Sequence, residues 1–213
     1  QPNLDQLAGL TGVRAGALAR WQETGWPNSR VEQWRFTRLA SLEKMDLRPA
    51  LAAAAAGTPA ISAKMPENSV ILSFSNGVLD VAGLAALPDG VTASFLSEND
   101  TALAALAASV PESHPISDLS LAVMTSGLHL EIAGKVDVPI VLVFTGGDNG
   151  VSSHPVVSVK LVDGASAVLA EWHQSAVGLS APLMAIEVGD KARLDYAKVQ
   201  HESAQSAHLA ATG

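Results

Sequence analysis

The stretch VSVKLVDGASAVLAE, residues 157–171, consists of two apolar-polar runs separated by an Asp-Gly pair. Alternation of this kind predicts strands with one buried face, and Asp-Gly predicts a tight corner between them. Two further stretches have the same pattern of strand, glycine-centred corner and strand. They are LHLEIAGKVDVPIVL, residues 128–142, and MAIEVGDKARLDYAK, residues 184–198. The C-terminal half of the chain is therefore predicted to be rich in β-structure.

The corner glycines of these three stretches recur at roughly constant intervals. They are Gly134, Gly164 and Gly189. Repetition of a strand–corner–strand unit at such intervals is typical of the stacked turns of a β-solenoid. A β-sandwich also has short strands with turns every ~8–12 residues, so the period alone leaves both folds open.

The N-terminal part of the chain favours helix. Apolar residues recur every three or four positions from Leu4 to Trp21, which predicts an amphipathic helix. Gly25 and Pro27 are expected to end it. The alanine-rich residues 47–68, which are interrupted by proline and glycine, are expected to form a linker or a docking arm.

The next segment, GWPNSRVEQWRFTRLASL at residues 25–42, is unusually rich in tryptophan and arginine. Ser29 and Glu32 match a capping box, so a second helix is predicted to begin at Ser29. Val31 and Trp34 would then share one face. This arrangement favours a packing unit over a surface that binds an anionic partner.

The middle of the chain contains clear local signals. Asn76-Gly77 between two short apolar runs predicts a β-hairpin. A short helix is predicted over residues 100–110, with Asn99 or Asp100 as its cap. The run LSLAVM, residues 119–124, is interpreted as a strand. The domain prediction is a helical region at 1–56, a linker with hairpin and short helix at 57–112, and β-structure at 113–213.

The composition excludes several classes of function. The chain has 213 residues, 48% of them apolar, and a formal net charge of −8, which disfavours binding to nucleic acid. Because there is no cysteine, disulfides and thiolate metal sites within this chain are excluded. No export signal or long apolar segment is recognisable, so a cytoplasmic protein without membrane contact is expected.

Few residues suggest chemistry. The segment HESAQSAH, residues 201–208, begins like a zinc-protease motif but has Gln205 where the second histidine is needed. On a helix His201 and His208 would share a face, yet a polar corner or interface is favoured over a metal site. The glycine-rich residues 145–154 lack the spacing and lysine of a phosphate loop, which favours a surface turn. His173, with Trp172, is expected to end a strand as a capping residue.

Four stretches, in order along the chain, resemble the SufB/SufD family of iron–sulfur cluster assembly proteins. They are GWPNSRVEQWRFTRLASL (25–42), SVILSFSNGVLDVAGLAALPDGVTASFLSEN (69–99), LSLAVMTSGLHLEIAGKVDVPIVLVF (119–144) and DKARLDYAKVQHESAQSAHLA (190–210). The first is similar to the family pattern G-x-P-x-x-[RK]-x-E-x-W-[RK]-[FY]-T-x-L. The last is similar to the run Y-x-[KR]-x-Q-x-E of the SufD branch. The set covers nearly the whole chain and is similar to the N-terminal half of that branch.

The resemblance implies a mainly β protein, a right-handed parallel β-helix preceded by a small α-helical region and truncated at its C-terminus. It implies a non-enzymatic scaffold subunit that pairs with a SufB-like subunit and a SufC-like ATPase, with a homodimer as a possible form in isolation. An iron–sulfur cluster would be present transiently in the full complex, with none bound by this fragment.

The resemblance also bears on particular residues. Gln200 matches the glutamine of a V-Q-N-W run in the SufB branch, but Glu202 stands where that branch has tryptophan, which favours the SufD branch. Gln200, His201, Glu202 and His208 are therefore kept as polar β-helix candidates, with no catalytic or metal-binding role assigned.

Two other functions remain open. A β-helical carbohydrate-active enzyme would need paired carboxylates from neighbouring strands. Glu131, Glu171 and Glu187 lie on predicted strands, but they are expected on a solvated outer face. The third reading is a plain β-solenoid dimerisation module that pairs through an exposed strand edge.

Overall fold

The computed structural model of the chain describes residue 7 and residues 10–37, 39–44, 47–50, 65–110, 114–146 and 150–213. The described residues form a mixed α and β structure, with about 39% of them in strands and about 24% in helices. The mainly β prediction is therefore correct about the sheets but understates the helices. In the described residues, no helix has the length and apolar character needed to cross a membrane.

Four α-helices lie in the described ranges. They are α1 (Gly12–Thr24), α2 (Ala40–Glu43), α3 (Asp100–Ser109) and α4 (Pro115–Val123). Helix α1 starts later than predicted, at Gly12, and residues 4–6 lie outside the described residues. It ends as predicted, because Gly25 has a φ of +62° and its N–H donates to the carbonyl of Trp21 at 2.7 Å.

The predicted helix from Ser29 is wrong. The chain instead forms a turn followed by a short 3₁₀ helix at Glu32–Trp34, whose N-terminus has no side-chain cap. The side-chain oxygen of Asn28 accepts from the backbone N–H of Arg30 at 2.9 Å. Such a local side-chain to backbone bond competes with helix formation, which explains why the capping-box pattern is not used.

Residues 119–124 are also not a strand, because most of them belong to α4. His114 caps this helix through Nδ1, which accepts from the N–H of Ser117, and Pro115 occupies its first position. Every residue of α4 is buried. A continuously apolar run cannot distinguish a buried strand from a buried helix, which is the reason for the error.

Helix α4 is tied to α1 by two arginines. The guanidinium of Arg14 donates to the carbonyls of Ala122 and Met124, both at 2.9 Å, at the C-terminal end of α4. Arg20 forms an ion pair of 2.7 Å with the largely buried Asp118. Helix α1 is thus fastened to α4, which is followed directly by the strand Gly127–Ile132.

The strands of the described residues form three sheets. The first contains β1 (Arg48–Pro49), β7 (Val151–Ser153), β10 (Gly178–Ser180) and β13 (Ser206–His208), all parallel. The second contains β4 (Val91–Phe95), β5 (Gly127–Ile132), β8 (Val156–Leu161), β11 (Leu183–Val188) and β14 (Ala211–Thr212). The third contains β2 (Val70–Ser75), β3 (Val78–Leu79), β6 (Ile140–Gly146), β9 (Ser166–Ser175) and β12 (Arg193–Gln200).

Parallel pairing dominates, and the chain visits the sheets in a fixed order. From β5 onward each strand lies in a different sheet from the one before it, and every third strand returns to the same sheet. Only β2–β3 and β4–β5 are antiparallel among the pairs of named strands in the described ranges. A β-sandwich is built from antiparallel sheets, so that alternative does not fit.

Several local predictions are confirmed. The Asn76-Gly77 hairpin joins β2 to β3, with positive φ at both turn residues. Asn99 caps α3 by accepting from the N–H of Ala102 at 3.0 Å. The two runs of residues 157–171 lie within β8 and β9. Of the predicted linker, residues 47–50 contain β1, whereas residues 51–64 lie outside the described residues.

The buried apolar residues form two clusters. One lies between the sheets, where the inward-facing residues of β2, β5, β6, β8 and β9 meet. The other joins the helices to β10 and β11 and includes Trp21 and Trp26, whose rings meet edge to face at 5.2 Å. Trp34 is half-buried and packs against that second cluster. The tryptophan-rich segment is therefore partly a packing unit, as the sequence predicts.

Candidate functional site

The interior of the third sheet changes character from one strand to the next. Residues that are paired in register across β2, β6, β9 and β12 form rows. One row is Leu72, Leu142, Glu171 and Lys198, and the next is Phe74, Phe144, His173 and Gln200. Each row is apolar in β2 and β6 and polar in β9 and β12. We call Glu171, His173, Tyr196, Lys198, Glu202 and His208 the polar cluster.

Glu171 is the centre of the polar cluster. It is only 1% exposed and receives hydrogen bonds from His173 Nε2, at 2.7 Å, and from the hydroxyl of Tyr196. The ammonium of Lys198 lies 3.3 Å from the same carboxylate. Burial by itself would raise the pKa of Glu171, but the two hydrogen bonds and the charge of Lys198 lower it overall. Glu171 is therefore a buried carboxylate that remains ionised.

His173 is fully buried, and its environment keeps it neutral. Its ring stacks on Phe144, with centroids 4.8 Å apart, and Phe144 stacks on Phe74 at 5.1 Å. Burial lowers the pKa of His173, although Glu171 opposes that effect. With the carboxylate accepting from Nε2, the proton of the neutral ring is on that atom. Nδ1 is buried and has no hydrogen-bond partner among the described residues.

Tyr196 and Lys198 complete the cluster from β12. The phenol of Tyr196 is partly buried, and burial together with its hydrogen bond to Glu171 raises its pKa, so it stays protonated as a donor. Lys198 is about one quarter exposed. Strand β12 has no neighbour on its outer side among the described residues, so solvent reaches these two side chains.

Glu202 and His208 form the second acid–histidine pair. Glu202 Oε2 lies 3.0 Å from His208 Nδ1, but the alignment is too poor for a hydrogen bond. Burial raises the pKa of Glu202, whereas the proximity of His208 and His173 lowers it, and the net effect is a lowered pKa. The ring of His208 meets that of His173 edge to face at 4.8 Å. The two pairs are thus in direct contact.

The four residues predicted from the sequence are only partly brought together. Glu202 and His208 contact each other, and Gln200 lies opposite His173 in register. His201 instead lies beside Trp172, with ring centroids 6.2 Å apart. Residues 201–208 form no helix, because β12 ends at Gln200 and Ser206–His208 is strand β13 of the first sheet, so His201 and His208 do not share a helical face.

No metal site is formed by the described residues in the sense of three or more His, Asp or Glu side chains arranged around one point.

Two sequence expectations about this region are wrong. Glu171 is predicted on a solvated outer face and His173 at the end of its strand, but both point into the interior, and the strand continues to Ser175. The alternation itself carries the correct signal, since Glu171 and His173 are in phase with Ala167 and Leu169. The polar character of Glu171 and His173 favours the surface, whereas their position in the alternation of the strand favours the interior. The structure follows the alternation.

Glu131 and Glu187 do lie on the outer side of the second sheet, as expected. They occupy one row on either side of Lys160, which lies 3.2 Å from Glu187. Glu171 faces the interior instead, so the three glutamates do not converge. Of the glycine-rich segment at 145–154, residues 147–149 lie outside the described residues, and its ends belong to β6 and β7.

Comparison of the chain with models of known protein families and with curated proteins finds no match.

Proposed function

We propose that the chain is a non-catalytic subunit of a SufB–SufC–SufD-type scaffold for iron–sulfur cluster assembly. In this proposal its β-structure forms turns of a right-handed parallel β-helix, and its partners are a SufB-like subunit and a SufC-like ATPase. The cluster is the product of the whole complex, and no residue of this chain is assigned to bind it. The protein acts in the cytoplasm.

The return of the chain to the same sheet is the observation that carries the proposal. In the second sheet Gly127 pairs with Val156, Val156 with Leu183 and Leu183 with Ala211. The third sheet repeats the pattern at similar intervals, with Leu142 opposite Glu171 and Glu171 opposite Lys198. Nearly constant intervals in parallel register are expected of β-helical turns.

The four stretches that resemble the SufB/SufD family fall on structural units that suit such a protein. Residues 25–42 belong to the helical region, and residues 69–99 contain the hairpin and β4. Residues 119–144 lead from α4 through β5 to β6, and residues 190–210 form β12 and β13. The resemblance and the period therefore concern the same segments and support one reading.

Co-purification tests the proposal. The full-length natural protein, tagged, is expressed together with the SufB-like and SufC-like proteins of the same organism and analysed by size-exclusion chromatography with light scattering. A stable complex containing all three chains is expected. The matched control omits the SufB-like protein, and the SufC-like ATPase alone should then bind more weakly. A tagged protein that elutes alone, while its partners assemble without it, contradicts the proposal.

A dimerisation module is a second candidate, favoured by the outer edge of β12. On that strand Tyr196 and Val199 are 38% and 39% exposed. Unpaired strand edges with exposed apolar side chains tend to pair. Sedimentation velocity of the isolated protein separates the candidates, since this one requires a concentration-dependent dimer that the SufB-like protein does not dissociate.

A further inference from the structure

The polar cluster is the feature that the proposed function leaves without a role. We propose that it is a pH-sensitive latch, which holds residues 201–213 against the preceding strands near neutral pH and releases them on acidification. The released segment would expose β10 and β11, whose edges it now covers. The proposal concerns a local opening and does not depend on the identity of any partner.

Apart from the cluster, the segment 201–213 is held by short strand pairings, by single backbone hydrogen bonds and by partly buried apolar side chains. It pairs with β10 through the three residues of β13 and with β11 through the two residues of β14. Its other backbone bonds include Ser203 to Ser175 at 3.0 Å and Leu209 to Ser180 at 2.8 Å. None of its residues is fully buried. A segment with short pairing and little burial is one that can open locally.

Glu202 and His208 connect the segment to the cluster, while Ala207, Leu209 and Ala211 are partly buried and pack against the apolar cluster of the helices. The side chains of Glu202 and His208 are 9% and 13% exposed. His208 contacts the ring of His173, which is fixed on its other side by the stack with Phe144. The attachment of the segment to β9 therefore runs through a contact between two titratable rings.

Protonation of His173 would change the charge balance at that contact. The charged and titratable groups that face it are Glu171 on its own strand, Tyr196 and Lys198 on β12, and Glu202 and His208 from the segment. The apolar Phe144 covers it from β6. A proton on Nδ1 would place a positive charge, without a hydrogen-bond acceptor, beside Lys198 and His208. Glu171 would offset only part of that charge.

The direction of the pH dependence follows from the shifts. Because the pKa of His173 is lowered by burial, the closed segment binds fewer protons than the open one just below the ordinary pKa of histidine, ~6.5. The contribution of neutral His173 to the stability of the closed form is therefore fully present above that pH. It is lost progressively as the pH decreases towards the lowered pKa. Glu202 adds a second loss at more acidic pH, below ~4.5, because its pKa is also lowered.

Hydrogen exchange of the intact protein measures the opening. The amides of Leu209, Ala211 and Gly213 donate to carbonyls of the preceding turn and report on the segment. Their protection factors, corrected for intrinsic exchange, are compared between about pH 7.5 and about pH 5, which brackets the ordinary histidine pKa. The expected loss is up to about tenfold per pH unit below ~6.5, while amides of β8 and β9 keep their protection. Equal loss in all strands would indicate global unfolding and overturn the proposal.

Three variants make the test specific. His173→Phe extends the stack of Phe74 and Phe144 and removes the titrating ring, while Glu171 keeps Tyr196 and Lys198 as partners; the acid-dependent loss should disappear. His201→Gln is the matched control and should respond like the parent. If His173→Phe does not fold, His173→Gln decides, since it also removes the titrating ring while keeping a side chain that can donate to Glu171, and the response should again disappear. A response that persists in the folded variant contradicts the latch.

Discussion

Replacement of Trp21 by alanine tests whether the tryptophan pair holds the helical region together. The indole of Trp21 is 4% exposed and meets Trp26, itself 7% exposed, edge to face at 5.2 Å. Truncation of a buried tryptophan costs about 3–5 kcal/mol, of which the aromatic contact supplies about 0.5–1.5 kcal/mol. We expect Trp21→Ala to lower the free energy of unfolding of the helical region by that amount.

Substitutions of Trp34 and Phe36, which are less buried than Trp21, show how the loss of unfolding free energy should depend on burial. Trp34 is half-buried and contacts His114 at 5.6 Å, so Trp34→Ala should cost about half as much as Trp21→Ala. Phe36 is 90% exposed, and Phe36→Ala should change the free energy of unfolding by less than about 0.5 kcal/mol. The three variants therefore rank by burial, although all three residues lie in or near one aromatic-rich segment.

Urea unfolding followed by far-UV circular dichroism measures the free energy of unfolding of each variant. Circular dichroism is the suitable probe because tryptophan fluorescence changes with the substitution itself. Hydrogen exchange of the α1 amides shows whether the loss is confined to the helices. If Trp21→Ala unfolds within about 1 kcal/mol of the parent, or no earlier than Phe36→Ala, the packing argument is wrong.

Three further substitutions test separate parts of the structure. Gly189→Ala would bring a Cβ within 2.6 Å of a carboxylate oxygen and 2.8 Å of the backbone nitrogen of Asp163. The urea midpoint of this variant should therefore fall by the equivalent of about 1–3 kcal/mol. An unchanged midpoint would mean that the corner relaxes freely. Asn99→Ala removes the cap of α3 and should cost about 0.5–2 kcal/mol, whereas Asn99→Asp, which keeps an acceptor, should cost less. Burial lowers the pKa of His154 to about 3, so the parent loses stability as the pH falls below ~6.5. His154→Leu should lose about 2–3 kcal/mol less between pH 7 and pH 4.5, as measured by urea unfolding at both values, and an equal loss in both proteins would contradict a neutral buried ring.

The strands could be predicted from the sequence because alternation and β-branched residues act locally. β5, β6, β8, β9, β11 and β12 all fall on runs that alternate or are continuously apolar. The very short strands β7, β10 and β13 carry no such signal, since two or three residues cannot show a period. They exist because a strand distant in the sequence offers a parallel partner in register.

The helical errors have a different origin. The pattern at Ser29 and Glu32 is sound as a local signal, but the Asn28 side chain takes the backbone donor of Arg30 and the chain turns instead. At residues 119–124 the tertiary environment covers every side of the segment, which removes the polar face that would have revealed a helical period.

The candidate site can be predicted from the sequence only in part. The sequence of the segment after β12 indicates Glu202 and His208 as candidate polar residues. The residue types of Glu171 and His173, in contrast, predict a surface position for the first and a strand end for the second. Their contact depends on the pairing of strands that are far apart in the sequence, with Glu171 directly opposite Lys198. Residues brought together in this way share no local motif, so only their phase with Leu169 could have indicated that they face inward.

The nearly constant intervals between stacked strands also determine where the chain can change length. In the second sheet the steps from Gly127 to Val156, from Val156 to Leu183 and from Leu183 to Ala211 differ slightly in length, yet the strands stay in register. The differences are therefore absorbed at the corners, outside the paired strands. A single residue inserted within β9 before Glu171 would instead move Glu171 and His173 to the outer side and place Trp172 inside. Insertions and deletions are tolerated at the corners, and the strands between them can vary only by substitution.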